Sequence, residues 1–253
     1  MRLASTPTAN LSYLLLAAYA LLGRAQAIQA LALSWLFTML NPGIAAEATQ
    51  GSVGRYAVLL AASASVFLRS WQFHNSIKVR PATLATLLLG LFFVGHSWFF
   101  SPMVDVSVLK AVSWTLTMST LIAAWAGLAV GEREALARYI FGGLIVVMLV
   151  SLPLLPLQVG YLRNGNGFQG VLNHPQAFGP TMALLGAWAA GHLFGVKRPP
   201  WLHVVLVGIC LVLVILSETR TAGLALLLGV GLAVFLILSC NLSNTINNPW
   251  PAT

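Results

Sequence analysis

Long apolar runs separated by short polar or charged breaks set the pattern of this chain. Eight of them, 25–40, 53–68, 82–100, 108–128, 139–157, 176–195, 201–217 and 221–240, approach the roughly 20 residues that a helix needs to cross a bilayer. The pattern predicts an all-α fold: a polytopic helical membrane protein with about eight transmembrane helices. A further run, 11–23, would cover only about 20 Å as a helix, well under the hydrocarbon thickness. It reads as an interfacial segment, a re-entrant segment, or the first part of one long helix interrupted at Arg24, and as a ninth span if it crosses. Arg2, this run and Ala25-Gln26-Ala27 also imitate the three regions of a signal peptide, although 28–40 would then be too short to span alone.

Composition narrows the setting. The 253 residues are 58% hydrophobic and 7% charged, with a mean hydropathy of +0.87. A water-soluble domain would need far more charge to cover its surface, and the glycines and prolines follow no period that would indicate collagen or disorder. A net charge of +8 would suggest nucleic acid in a soluble protein, but here the cations sit between apolar runs, where they orient spans. One set of span ends carries Arg2, Arg24, Arg69, Lys78, Arg80, Arg133, Arg138, Lys197 and Arg198. The other carries Arg55, Lys110, Arg163 and Arg220, together with Glu47, Asp105 and Glu218. The richer set belongs in the cytoplasm, which places the N-terminus there too. Trp35, Trp71, Trp98, Trp114, Trp125 and Trp201 suit interfacial anchors. Residues 1–240 are expected to form one helical domain, followed by a polar, uncharged tail, 241–253. Cys210 and Cys240 both lie inside apolar runs, and no metal-ligand spacing is present.

Two stretches on the cation-poor side carry the candidate chemistry. The loop 158–175 holds four glycines, three asparagines and one charge, Arg163. Glycines admit close backbone approach, and Pro175 suits the first position of a helix, which makes His174 its N-cap and Asn173 the neighbour. Such a helix end offers N–H groups and positive potential to an anion, although an ordinary interhelical loop has the same spacing. The second stretch is Ser217-Glu218-Thr219-Arg220-Thr221-Ala222-Gly223. Its flanking runs would together make a helix of about 60 Å, so the chain must turn here. Arg220 at that turn suits bidentate binding of a diphosphate, or equally a snorkelling arginine paired with Glu218. Glu132-Arg133-Glu134 and Arg138 read as a solvated loop, His96 as an interfacial histidine, and His192 and His203 as headgroup contacts beside Lys197-Arg198.

The succession of Gly170-Val171-Leu172-Asn173-His174-Pro175-Gln176-Ala177-Phe178-Gly179 and, one hairpin later, Ser217-Glu218-Thr219-Arg220-Thr221-Ala222 resembles the bacterial O-antigen ligase and O-antigen polymerase family. The resemblance covers most of the chain in topology and two short motifs in residues. It implies a glycosyltransferase of the bacterial cytoplasmic (inner) membrane that takes a glycan from an undecaprenyl diphosphate carrier at the outer face. The acceptor would be a glycan or a lipid such as lipid A-core, serving lipopolysaccharide or exopolysaccharide biosynthesis. Arg220 then falls on the family's diphosphate-binding arginine, with Arg163 as a second and Asn173, His174 and Glu218 as secondary members of the site. No metal or other cofactor is implied, and no catalytic residue is assigned. The family's long periplasmic loop with its histidine follows the Ser-x-x-Arg span. The chain is therefore expected to be an N-terminal portion, working with a missing C-terminal half or a partner subunit, and probing membrane lipids along its sides. A multi-pass transporter and a non-catalytic membrane subunit are the alternatives.

Overall fold

The computed structural model describes residues 6–44, 53–72, 80–162, 165–195 and 200–247. Arg2, Glu47, Lys78, Arg163, Lys197 and Arg198 lie outside the described residues. The described chain is all-helical: α1 (Thr6–Ala20), α2 (Arg24–Thr38), α3 (Val53–Gln72), α4 (Arg80–Phe100), α5 (Val104–Ala126), α6 (Val130–Ser151), α7 (Pro175–Gly195), α8 (Trp201–Leu216) and α9 (Arg220–Asn247). Each of the eight long apolar runs falls on its own helix, and the short run near the N-terminus becomes α1, separated from α2 by a turn at Leu21–Gly23. Three segments, Pro81–Phe100, Val104–Ala126 and Val130–Leu154, are long and apolar enough to cross a membrane. Asn10–Ala20, Trp201–Leu216 and Arg220–Phe235 are apolar but shorter; the 16 residues of α8 cover about 24 Å.

The helices gather into two compact units, 1–38 with 45–140 and 39–44 with 141–253. In the first, α1, α2, α3 and α5 meet over Tyr13, Ile28, Val58, Val66, Leu128 and Leu136, with Ala20, Ala27, Ala30, Ala62 and Ala124 between them. Small residues at these crossings let helix backbones approach, which matters most where lipid tails supply no hydrophobic drive between helices. Gly54 shows the closeness, since a Cβ there would lie 2.6 Å from that of Tyr13. Ser63 on α3 and Thr120 on α5 satisfy each other across the interface at 2.8 Å. By contrast α4 packs on α5 and leaves Leu84, Leu88, Leu91, Phe92 and Phe99 exposed, a surface that hydrocarbon solvates and water does not. His96 lies on this helix between the rings of Phe92 and Phe100.

Three arginines of the cation-rich set close helix ends in this unit. Arg24 donates to the carbonyls of Gly127 and Arg69, Arg69 to those of Leu21 and Leu22, and Arg133 to those of Trp125 and Ala126. These carbonyls have no acceptor role inside their helices, and guanidinium donors there also meet the negative end of the dipole. The solvated loop expected at Glu132-Arg133-Glu134 and Arg138 is instead helical, the first turns of α6. Glu132 explains it: its carboxylate accepts the Ala129 N–H at 2.8 Å, the reciprocal half of a capping box. At its other end α6 stops at Ser151, before the predicted 157, because Pro153 and Pro156 deny the next turns their N–H donors. At the C-terminal side α9 continues as helix through residues 241–247, the first part of the polar tail.

In the second unit α7 lies against both α8 and α9. Phe141 stacks on Trp188 at 4.5 Å, and Trp188 in turn meets His192 and His203, whose rings are 5.8 Å apart. These two histidines thus belong to an aromatic cluster near the C-terminal end of α7.

Candidate functional site

The stretch between α6 and α7 has a buried centre, Gly160 and residues 167–172, flanked by exposed positions. A short 3-10 turn, Gln158–Gly160, leads into a bridge between Tyr161 and Phe168, and the glycines at 165 and 167 take positive φ angles of 76° and 73° to close it. Phe168 is fully buried between the rings of Tyr161 and Phe178, and its N–H donates to Leu216 O at 2.8 Å. Gly170, at φ 56°, lies where a Cβ would sit 2.5 Å from Ser151 Oγ. That hydroxyl donates to Val147 O and accepts the Val171 N–H, so the last turn of α6 holds the loop.

A second clamp comes from far away in the sequence. Residues 39–44 run beside the loop, with a bridge between Leu40 and Leu172 and backbone bonds from Asn41 N to Val171 O and from Asn173 N to Met39 O. Asn41 is 2% exposed; its amide donates to Val159 O and Gly170 O, and its Oδ1 accepts the Gly43 N–H. Sequence reasoning passed over this residue. An Asn-Pro-Gly sequence at the end of an apolar run was the available signal, but nothing local names its partners.

Pro175 opens α7, and His174 caps it as the spacing predicts: its Nδ1 accepts the Gln176 N–H at 3.1 Å. With Nδ1 accepting, Nε2 is the ring nitrogen left to carry the N–H donor. This corrects one expectation. The first N–H groups of α7 are not open to an anion, because proline has none and that of Gln176 is spent on His174.

The α8–α9 turn is locked in a complementary way. Ser217 Oγ donates to Val214 O, so the 2.7 Å bond between Ser217 and Thr219 has Thr219 as donor. Thr219 O accepts the N–H groups of Ala222 and Gly223. Among the described residues no acceptor lies on the Arg220 or Thr221 N–H, which leaves this helix end open. Glu218 between the two hydroxyls has φ 55°, a region L residues rarely adopt. Gly179 on α7 lets the turn dock: a Cβ there would collide with Thr219 Oγ1 and approach Ser217 Oγ to 2.7 Å.

Loop, α7 cap and α8–α9 turn surround one cavity of about 480 Å³, lined among others by Leu162, Asn166, His174, Glu218, Arg220 and Thr221. Of the five residues singled out from sequence, His174, Glu218 and Arg220 meet here. Asn173 does not line the cavity, and its Oδ1 is buried without a hydrogen-bond partner. Arg163 lies outside the described residues. Glu218 and Arg220 form no ion pair with each other or with any described residue, so the snorkelling pair is not what the turn builds. No group of three metal-ligating side chains occurs among the described residues. The arrangement offers a guanidinium, two open N–H groups, an imidazole Nε2–H and one carboxylate to a ligand. That set suits an anion with several oxygens. Comparison with protein-family models, with curated proteins and with solved structures finds no match to this chain.

Proposed function

We propose that this chain is a multi-pass protein of the bacterial cytoplasmic membrane, with about eight spans, that binds an undecaprenyl diphosphate-linked glycan at the outer face. In this reading it serves glycan transfer or polymerisation of the O-antigen ligase type. The observation that carries it is the meeting of two motifs, 170–179 and 217–222, around one cavity, where Arg220 has no ion-pair partner among the described residues and lies beside an open helix end. A guanidinium at that position forks onto diphosphate oxygens, the N–H groups of Arg220 and Thr221 add two more bonds, and His174 Nε2–H adds a third donor. These donors meet the charge that gathers on a diphosphate as the glycosyl bond breaks. The acceptor glycan or lipid would enter from the same side, and the remaining catalytic groups would come from a C-terminal continuation or a partner subunit.

Titration of the detergent-solubilised chain with an undecaprenyl diphosphate analogue tests the reading. Arg220→Ala should weaken binding about tenfold or more, since hydrogen bonds to a charged group are worth about 1.5–3 kcal/mol. Equal affinity in parent and variant would remove the central claim.

A further inference from the structure

Glu218 is the odd member of an anion site. It lines the same cavity as Arg220, it is exposed, and no described cation neutralises it. Its place is fixed by the turn: Ser217 and Thr219 are locked to one another on either side, and the residue between them is held at φ 55°. A carboxylate kept there repels any anion that approaches Arg220, and the repulsion grows with the charge of that anion.

We propose that Glu218 is a charge filter, which offsets the pull of Arg220 on added phosphate charge and so helps the cavity shed a diphosphate that ends in a free phosphate. The proposal rests on the diphosphate reading of the site. In glycan transfer an acceptor hydroxyl oxygen bonds to the anomeric carbon of the donor. The bond from that carbon to the diphosphate oxygen breaks with its electron pair left on oxygen, and the hydroxyl proton passes to water. The spent carrier then bears an additional ionised oxygen. Arg220 and the open end of α9 pull harder on the more charged product, and Glu218 offsets that extra pull. The carboxylate therefore counters the tendency of the cationic groups to retain the spent carrier, which favours its release.

The test needs binding alone. Farnesyl diphosphate and its terminal methyl ester share a lipid and differ by one ionisable oxygen; both are titrated into the full chain in detergent micelles, as parent, Glu218→Gln, Glu218→Asp, Glu218→Gly and Arg220→Ala. The parent should bind the two with a ratio that Glu218 sets. Glu218→Gln should tighten farnesyl diphosphate about fivefold relative to the ester, the worth of one charge at an exposed rim, and the gain should shrink as salt is raised. Glu218→Asp should keep the parent ratio. Glu218→Gly, which relieves the backbone as well as removing the carboxylate, should match Glu218→Gln. Equal changes for both ligands in Glu218→Gln, or a preference that tracks the backbone so that the Gly and Gln variants differ, overturns the filter while leaving an Arg220-dependent site. Ligands that bind the parent and Arg220→Ala alike, or neither at all, overturn the diphosphate site and the filter together.

Discussion

At Gly179 a hydrogen atom is all the second unit has room for. The α8–α9 turn presses its two hydroxyls onto this position, and any side chain must push the turn away from α7. Gly179→Ala should therefore cost about 1–3 kcal/mol in stability, seen as a lowered thermal midpoint in detergent, and should weaken diphosphate binding by displacing Arg220. Residues of this kind were only partly readable in the sequence. Arg220 and His174 stood out because a lone cation in a hairpin and a polar residue before Pro175 are locally unusual. Gly179 is one glycine among 22, and its role depends on a turn that follows one hairpin later. Asn41 is harder still, because a buried amide looks the same in sequence as an exposed one until its partners are known.

Helices were readable as elements because apolar runs of this length leave few alternatives in an all-helical chain. Their ends were misjudged where local chemistry outweighs hydropathy. Glu132 starts α6 well before the apolar run does, since a carboxylate at the third position of a helix both caps and complements the dipole. The loop was readable as glycine-rich, but the burial of 167–172 was not, because the polar backbone there is satisfied by Ser151, Gly160, Leu216 and residues 39–44. Asn41→Ala tests that account. The carbonyl of Gly170 and the Gly43 N–H would lose the Asn41 side chain as partner, and Val159 O would keep only the longer bond from Gln169 Nε2, a loss of about 2 kcal/mol. Hydrogen exchange should quicken at Phe168, Gln169 and Gly170, whose N–H groups are bonded within this assembly, while the middle of α7 keeps its protection.

For the whole molecule, the proposed crossing of α6 gives a prediction that needs no ligand. The capped start of α6 would face the cytoplasm and the stretch after its end the outside, in keeping with the cation-rich set that contains Arg24, Arg69 and Arg133. In a cysteine-free background, Gln158→Cys should react with an impermeant maleimide in intact cells, whereas Glu134→Cys should react only after permeabilisation. Both positions are exposed, so access to the side chain is not limiting. The opposite labelling would invert the proposed orientation. The clamp at residues 39–44 has a bearing on how the protein is made. Those residues belong with 141–253, although everything on either side of them belongs with the first unit. A ribosome delivers Asn41 more than a hundred residues before Val159 and Gly170, the groups it binds, are made. The strap must wait, unpaired, through the synthesis of four further helices, and a fragment begun at Phe141 would fold around a gap where it belongs.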